Sequence, residues 1–383
     1  MVGGVGDYTL RLAEALVERG AEALVLARDD PRVERSARVP VRASVSRWGL
    51  LGAGQVARET KALQPDVVLF QYVPYLYSRW GLPLGLLATL GALRRSGIPV
   101  VLVAHEPFNY GALTSKHRLV AACQRRLFGA LARRCAAVVV TSRARGRSVE
   151  PIVGPGCRVR VIPVGATLPG AETAPRAQAA RPEPPFRVAT FGRLELGRRR
   201  LDVLHDAAAR VASGEAPVVL ELVGPTDAAA DRWREGLAPR AGLEVACHGT
   251  VTAEEAARTL ALSHAAVLFD TSALGGISTR STVAANLLAA GVPVISNAGA
   301  DTGEPFLDGA NVLLCPPEPA TLAQRLALLR DDTALRERLA RGGRLLFERE
   351  LAWPVIAGRY LAVLDELQAG ERAQSAMVTL AGQ

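Results

Sequence analysis

Aromatic residues are scarce in this 383-residue sequence, with Phe, Trp and Tyr together making only 5%. Well-packed cores must therefore be assembled from Ala, Leu and Val, and the 49% apolar content suffices for two of them. At roughly 150 residues per domain the length also fits two domains plus connections. No apolar run approaches the roughly 20 residues that a membrane-spanning helix needs. The longest, Gly81 to Leu93, reads as a buried helix. A basic-then-apolar secretory leader is missing from the N-terminus. Cysteine is limited to Cys123, Cys135, Cys157, Cys247 and Cys315. Their odd number and scatter fit neither a disulfide framework nor metal-ligand spacing, so the expected compartment is a reducing cytoplasm and no metal site is expected. Lysine is nearly missing too, with Lys61 and Lys116 the only two. The net charge of +9 is thus carried by arginine. Part of that bias is what a GC-rich genome gives; the remainder favours polyanionic partners such as phosphates or anionic lipid heads. Nucleic acid ranks last and is not expected, because the basic residues are spread without interleaved aromatics and no nucleic-acid module is visible.

What is present is an alternation. Short β-branched runs alternate with Ala/Leu-rich amphipathic stretches, the pattern of a parallel sheet covered by helices. In the first half strands are predicted at 23–27, 67–71, 100–104, 137–141 and 159–164, with helices at 8–19, 82–96 and 119–134. Residues 169–185, rich in Pro, Ala and charge, read as a linker. The alternation then restarts, with strands at 186–191, 218–223, 243–247, 266–269, 293–296 and 312–314. Helices are predicted at 199–212, 228–237, 253–262, 281–290 and 321–329. The resulting organisation is an N-terminal domain over 1–168, the linker, a C-terminal domain over 186–350, a helix over 351–370, and a tail over 371–383 without regular structure. The chain opens on Gly3-Gly4 and goes almost directly into a helix, so either the strand that normally leads such a domain lies upstream of Met1, the preferred expectation, or the first sheet lacks it.

Several clusters sit where strands end, which in doubly wound domains is the ligand-binding edge. Gly4, in Gly3-Gly4-Val5-Gly6, precedes a helix and could bring backbone N–H groups to an anion; a tight turn is an equal reading. His105 directly follows an all-apolar strand, in Ala-His-Glu-Pro-Phe-Asn, and its position favours function over loop capping. Gly192-Arg193-Leu194 and Arg198 follow the first strand of the second half. Arg193 and Arg198 can converge on a diphosphate, whereas Arg199 and Arg200 read as a solvated helix face. Gly275-Gly276-Ile277-Ser278-Thr279-Arg280 leads into a helix, which combines free N–H donors, a positive dipole end and a guanidinium in one anion site. His248-Gly249 lies on the same rim, where a nucleobase edge or a simple loop turn are equally served. His117, His205 and His264 read as helix-face residues without a role.

Taken together these segments resemble the retaining GT-B glycosyltransferases of glycosyltransferase family four, also described as glycosyl transferases group 1. The resemblance runs from Gly-Gly-Val-Gly-Asp-Tyr through Pro65-Asp66-Val67-Val68, His105, Thr141-Ser142, Val161-Ile162-Pro163-Val164-Gly165 and Phe191-Gly192-Arg193-Leu194. It continues through Leu222-Val223-Gly224-Pro225 and Ala289-Ala290-Gly291-Val292-Pro293-Val294-Ile295-Ser296 to the Trp353 segment. It implies an α/β fold of two Rossmann-like doubly wound domains facing across a cleft. It also implies a nucleotide-sugar donor, a saccharide or lipid-linked acceptor, sugar transfer with retention, and no cofactor or obligatory metal. Gly4 would lie near donor phosphate or acceptor, and His105 by the donor sugar. Arg193 and Arg198 would neutralise the diphosphate, Arg198 standing where the family has lysine. Gly192, His248 and the loop holding Gly276, Ser278, Thr279 and Arg280 would complete the donor site.

At one place the sequence departs from the family. Many members carry two glutamates eight apart before Gly-x-Pro-Val, the first on donor-sugar hydroxyls and the second on the ribose; here the positions read Ser278 and Asn286. Asn286 can still reach a ribose hydroxyl, whereas Ser278 is too short to replace a glutamate. A subgroup of the family has Gly-x-Ser-x-Arg here, which makes Arg280 the replacement. The departure leaves open a catalytically weak GT-B subunit that binds a partner transferase. A nucleotide-sugar epimerase is a third reading, for which Glu106 and Asp270 are candidate acid/base groups without a convincing pair. Finally, Arg118, Arg125, Arg126, Arg133 and Arg134 crowd one helical region, read first as a solvated face and second as peripheral contact with the anionic inner membrane.

Overall fold

The computed structural model describes residues 4–31, 33, 36–111, 114–154, 156–168 and 184–381, with only the backbone described from 370 onward. The chain divides into two compact units, one made of Met1–Pro163 with Trp353–Gln383, the other of Val164–Ala352.

Unit 1 opens with α1 (Gly4–Glu18), which buries Tyr8, Leu12, Ala15 and Leu16 at helical spacing. The chain continues through β1 (Val25–Arg28), β2 (Val41–Val45), α2 (Ala53–Leu63), β3 (Val68–Tyr72), α3 (Pro74–Tyr77) and α4 (Leu86–Arg95). It then runs through β4 (Val100–Ala104), α5 (Ser115–Ala132), β5 (Ala137–Val140), α6 (Arg143–Val153) and β6 (Arg158–Val161). All strand pairs are parallel, in a two-stranded sheet β1-β2 and a four-stranded sheet β3-β4-β5-β6. β4 and β5 are buried along their whole length, which is why their sequences are unbroken Val, Leu and Ala without polar alternation. The glycine turn expected before the first helix is instead its first turn: Gly4 and Gly6 lie inside α1, and Gly3 lies outside the described residues.

Unit 2 comprises β7 (Phe186–Phe191), α7 (Leu196–Arg199), α8 (Leu201–Val211), β8 (Val218–Val223), α9 (Ala228–Glu235), β9 (Leu243–Gly249) and α10 (Ala253–Ala261). It goes on through β10 (Ala265–Leu268), α11 (Thr282–Ala289), β11 (Val294–Ser296), β12 (Leu313–Leu314), α12 (Pro319–Asp331), α13 (Thr333–Leu346) and a π-helical turn, Phe347–Leu351. Its strands form one parallel sheet in the order β12-β11-β10-β7-β8-β9. The chain winds outward from β7 to one edge, returns to β10, and winds outward to the other edge. The reversal between β7 and β10 is the topological switch point, where loops diverge and leave a crevice at the strand C-termini.

Three boundaries differ from the sequence reading. Residues 164–168 belong to unit 2, because Val164 N–H donates to the Thr279 carbonyl (2.9 Å) and Thr167 and Leu168 N–H donate to Asn286 Oδ1 (2.8 and 3.0 Å). The helix expected over 199–212 is split at Arg200, which takes a left-handed φ of 51° between α7 and α8. The last helix, α14 (Trp353–Ala381), runs through the tail that was expected to lack regular structure; Ala, Glu, Gln, Met and Leu dominate there and favour helix. α14 rejoins unit 1, with the Tyr360 and Tyr8 hydroxyls 2.9 Å apart and the Trp353 ring tilted on Tyr8. The linker expected over 169–185 lies outside the described residues apart from its last two positions. Among the described residues no helix is long and apolar enough to cross a membrane.

Candidate active site

The switch point of unit 2 is built on glycines that bring main chains together. Gly192, the first residue after β7, has φ 102°, and Gly224, after β8, has φ 134°, both in the region that favours glycine. A Cβ on Gly192 would stand 2.7 Å from Val283 Cγ2, and one on Gly224 would stand 1.9 Å from the Gly192 carbonyl oxygen. The β7 loop therefore lies directly against the first turn of α11. Ser281 caps that helix, its hydroxyl accepting from Ala284 N–H (3.2 Å). Among the described residues the N–H groups of Thr282 and Val283 find no acceptor, and they stand at the positive end of the helix.

Arginines gather beside this helix end. Arg198 grips Asp270, which follows β10, through Nε and Nη2 (3.2 and 3.1 Å). Arg280 donates through Nη2 to the same Asp270 oxygen (3.1 Å) and to the Leu274 carbonyl (2.8 Å). Arg193, three-quarters exposed, pairs with Glu195 (3.2 Å), whose other oxygen is 4.0 Å from Arg198. Asp270 is locked in place: Asn297 accepts from its N–H (2.9 Å), and Ser272 N–H donates to its carboxylate (3.0 Å). Burial would raise its pKa, but hydrogen bonds from Arg198 and Ser272 and the Arg198 charge outweigh that and hold the carboxyl well below the usual range. With Arg199, four guanidinium groups face two carboxylates, leaving two positive charges in excess. One donor of this cluster, Arg280 Nε, is buried without a hydrogen-bond partner among the described residues.

Other residues of the expected donor site face elsewhere. Ser278 is buried and donates to Asp301 (2.7 Å). Asn286 is buried, its amide oxygen taken by Thr167 and Leu168 and its nitrogen 3.3 Å from the Thr167 hydroxyl. Gly276, with φ 80°, lets its backbone pack on Ala298 and Gly299, and its N–H donates to the Asp270 carbonyl (2.7 Å). The N–H groups of Ile277, Arg280 and Ser281 are likewise used within the protein. Thr279 contributes its carbonyl to Val164. His248 lies inside β9, and its Nε2 meets the buried Glu221 carboxylate at 2.6 Å. Arg199, expected on a solvated face, is instead buried, donating to the carbonyls of Arg193 (3.3 Å) and Phe269 (3.0 Å), and burial lowers its pKa to about 10. The sequence reading took Asp270 only as an acid/base candidate. An acidic residue ending the strand beside the switch point was the signal for its actual place.

In unit 1, His105 follows β4 and is buried, with Nε2 2.8 Å from Gln71 Oε1 on β3 and its ring edge-on to Tyr8. Burial, with the nearby Arg145 charge, pushes its pKa down to about 3, so the imidazole is neutral at physiological pH. Gly4 is exposed at the start of α1, and a Cβ there would meet nothing within 4 Å. Among the described residues no three His, Cys, Asp or Glu side chains gather as a metal site would require.

Comparison with known proteins agrees with this architecture. Residues 2–168 match the model described as Glycosyltransferase Family 4, and residues 185–332 match Glycosyl transferases group 1. No curated protein sequence matches the chain. Among solved structures, HepE of Anabaena in complex with UDP is 18% identical, with 96% of this chain and 97% of that one covered and a TM-score of 0.68. Sucrose-phosphate synthase from Thermosynechococcus elongatus is 19% identical, with 96% and 94% covered and a TM-score of 0.68. A glycosyltransferase from Rickettsia africae is 14% identical, with 96% of each chain covered and a TM-score of 0.68. With both glycosyltransferase domains matched in order along the sequence and the two-unit parallel α/β fold shared, the chain is a glycosyltransferase of the GT-B fold.

Proposed function

We propose that the protein transfers a sugar, with retention, from a nucleotide-diphosphate donor to a saccharide or lipid-linked acceptor in the synthesis of surface polysaccharide or glycoconjugate. The observation that carries this reading is the convergence of Arg198 and Arg280 on Asp270 at the switch point, beside the uncapped N–H groups of α11. A pyrophosphate bridge carries about two negative charges, which equals the excess of the cluster. Arg193 has the freedom to swing onto the phosphates. Breaking the sugar–phosphate bond builds negative charge on the leaving diphosphate and positive character on the sugar. Fixed guanidinium groups and a helix tip stabilise that charge more in the transition state than in the ground state. Retention follows if the acceptor attacks the face the diphosphate leaves, its proton passing to the departing phosphate oxygen. His105, neutral and held by Gln71, suits a hydrogen bond to a sugar hydroxyl rather than charge stabilisation.

One similar structure is described as a complex with UDP-glucose, which makes UDP-glucose the first donor to test. The experiment incubates the protein with UDP-, GDP-, ADP- and dTDP-sugars and follows nucleotide release and thermal shift. Release with one donor supports transfer. Thermal shift without release across a range of acceptors supports the second reading, a GT-B subunit that binds nucleotide-sugar for a partner transferase. That reading is favoured by Ser278 and Asn286, which hold Asp301 and the 167–168 main chain where a glutamate pair is expected. The absence of both signals with every nucleotide refutes both.

A further inference from the structure

In unit 1 the C-terminal end of β4 carries His105, whereas a cavity of about 760 Å³ lies at the other ends of β4, β5 and β6, among the residues that precede each strand. It is lined by Arg94 and Arg95 at the end of α4, Arg133 and Arg134 after α5, and Cys135 and Cys157 before β5 and β6. The guanidinium groups crowd one another. A Cβ on Gly91 would stand 3.8 Å from Arg95 Nη1 and 4.0 Å from Arg134 Nε, so these two flank one point on the wall. Arg94 Nη1 donates to the Arg133 carbonyl (3.4 Å) and Arg134 Nη1 to the Ala130 carbonyl (2.6 Å). Among the described residues the side chains of Arg95 and Arg133 donate to nothing. Asp66, Glu106 and Glu150, the nearest acids along the chain, form no ion pair with any of the four, and no Asp or Glu lines the cavity.

Helix ends account for part of this charge. α4, α5 and α6 all finish at the cavity, and each C-terminus carries about half a negative charge. Against these stand four guanidinium groups, which leaves an excess of about two and a half positive charges. The thiols do not reduce it. Burial pushes both up, Cys135 to about 12, so they are uncharged at neutral pH. Like charges held this close oppose folding unless an anion joins them. None of the exposed large apolar side chains of unit 1 lines the cavity, and a concave site of this volume suits a small ligand. A compact anion with two or three charges matches the excess, and guanidinium forks select phosphate oxygens.

We infer that this cavity binds a small soluble diphosphate, inorganic or as an ester, on residues that share nothing with the arginines of unit 2. Arg95 and Arg133 supply the free donors for its oxygens, and Arg94 and Arg134, each with one nitrogen on a carbonyl, form the charged wall behind them. The inference does not depend on the donor chemistry and stands if no sugar transfer is found.

The test uses the full chain with inorganic pyrophosphate at constant ionic strength, and follows alkylation of each cysteine by iodoacetamide through peptide mass spectrometry. A local readout separates this cavity from any pyrophosphate held by unit 2. Pyrophosphate is expected to slow alkylation of Cys157 at least about fivefold, because a bound ligand covers most of the cavity it fills. Sulfate at matched ionic strength should not, and Cys247, exposed on β9 of unit 2, should keep its rate. Arg95→Gln with Arg133→Gln should raise the pyrophosphate concentration for half-protection at least about tenfold. Both side chains are exposed, so the melting temperature should stay or rise as repulsion is relieved. Arg118→Gln with Arg126→Gln removes the same charge from exposed positions on the body of α5 and should leave half-protection unchanged. The inference is overturned if pyrophosphate leaves Cys157 at its free rate, if sulfate protects equally, or if both double variants weaken protection alike. Protection by phosphatidylglycerol vesicles but not by pyrophosphate overturns it as well, since the anion is then a lipid.

Discussion

Arg193 and Arg199 stand six residues apart, the first in the loop after β7 and the second at the end of α7, and truncating them should have opposite consequences. Arg193 is 75% exposed and its partner Glu195 is itself part-exposed, so Arg193→Ala should change stability by no more than about 0.5 kcal/mol. If its guanidinium binds the leaving diphosphate, the variant loses a charge-assisted hydrogen bond of about 1.5–3 kcal/mol, which corresponds to roughly a 10- to 150-fold fall in kcat/KM. Arg199 is the reverse. It is buried and holds the carbonyls of Arg193 and Phe269, so Arg199→Ala leaves two acceptors without donors and opens a cavity, at a cost of about 3 kcal/mol. In a unit of this size that lowers the melting temperature by on the order of 10 °C. Nucleotide release and thermal melting on the same preparations measure both effects. An Arg193→Ala variant that keeps wild-type turnover, or that loses turnover only in step with melting, would refute the phosphate role.

Three further outcomes follow from the geometry. Gly192→Ala should melt early and lose nucleotide binding, because its Cβ meets Val283 at 2.7 Å with φ at 102°. Val283→Ala added to it should restore part of the melting temperature but leave about 1 kcal/mol of backbone strain; no rescue at all would contradict the contact. The His105 ring is buried neutral with its pKa near 3, against 6.5 in the unfolded chain. The unfolded chain then holds the extra proton between those values, so stability is intact above about pH 6.5 and declines as pH falls toward 3, by on the order of 5 kcal/mol at most. Urea titrations of wild type and His105→Gln should diverge in that window, and parallel curves would mean the ring is not buried as described. Asn286→Ala should loosen the 167–168 segment at a cost of about 2 kcal/mol, and a melting temperature equal to wild type would show that the segment is held by other contacts.

Much of this was readable beforehand. The strands 186–191 and 218–223 coincide residue for residue with β7 and β8, because short, mainly apolar runs bounded by Pro on one side and Gly on the other are too short for a helix. β2, α2 and α6 escaped notice: Val41–Val45 contains Arg and Ser, and the two helices are interrupted by Gly54 and by Gly146 and Pro151. The site was legible as far as strand position reaches, which placed Gly192, Arg193, Arg198 and Arg280 at one strand edge. Side-chain direction was not. Arg199 turns inward because the chain breaks at Arg200. Ser278 faces Asp301, twenty-three residues on, a partner that spacing alone cannot identify.

The return of α14 to unit 1 has a consequence for dissecting the molecule. Residues 164–352 form a single uninterrupted stretch, so the arginine-bearing unit can be excised by two cuts and expressed as one piece. The other unit cannot be obtained by truncation after Pro163. Tyr8 would then lose both the Tyr360 hydroxyl and the Trp353 ring, and one flank of α1 would be stripped bare. A faithful fragment must splice Trp353 onward to the end of β6 through a short artificial bridge, or supply the helix as a separate peptide.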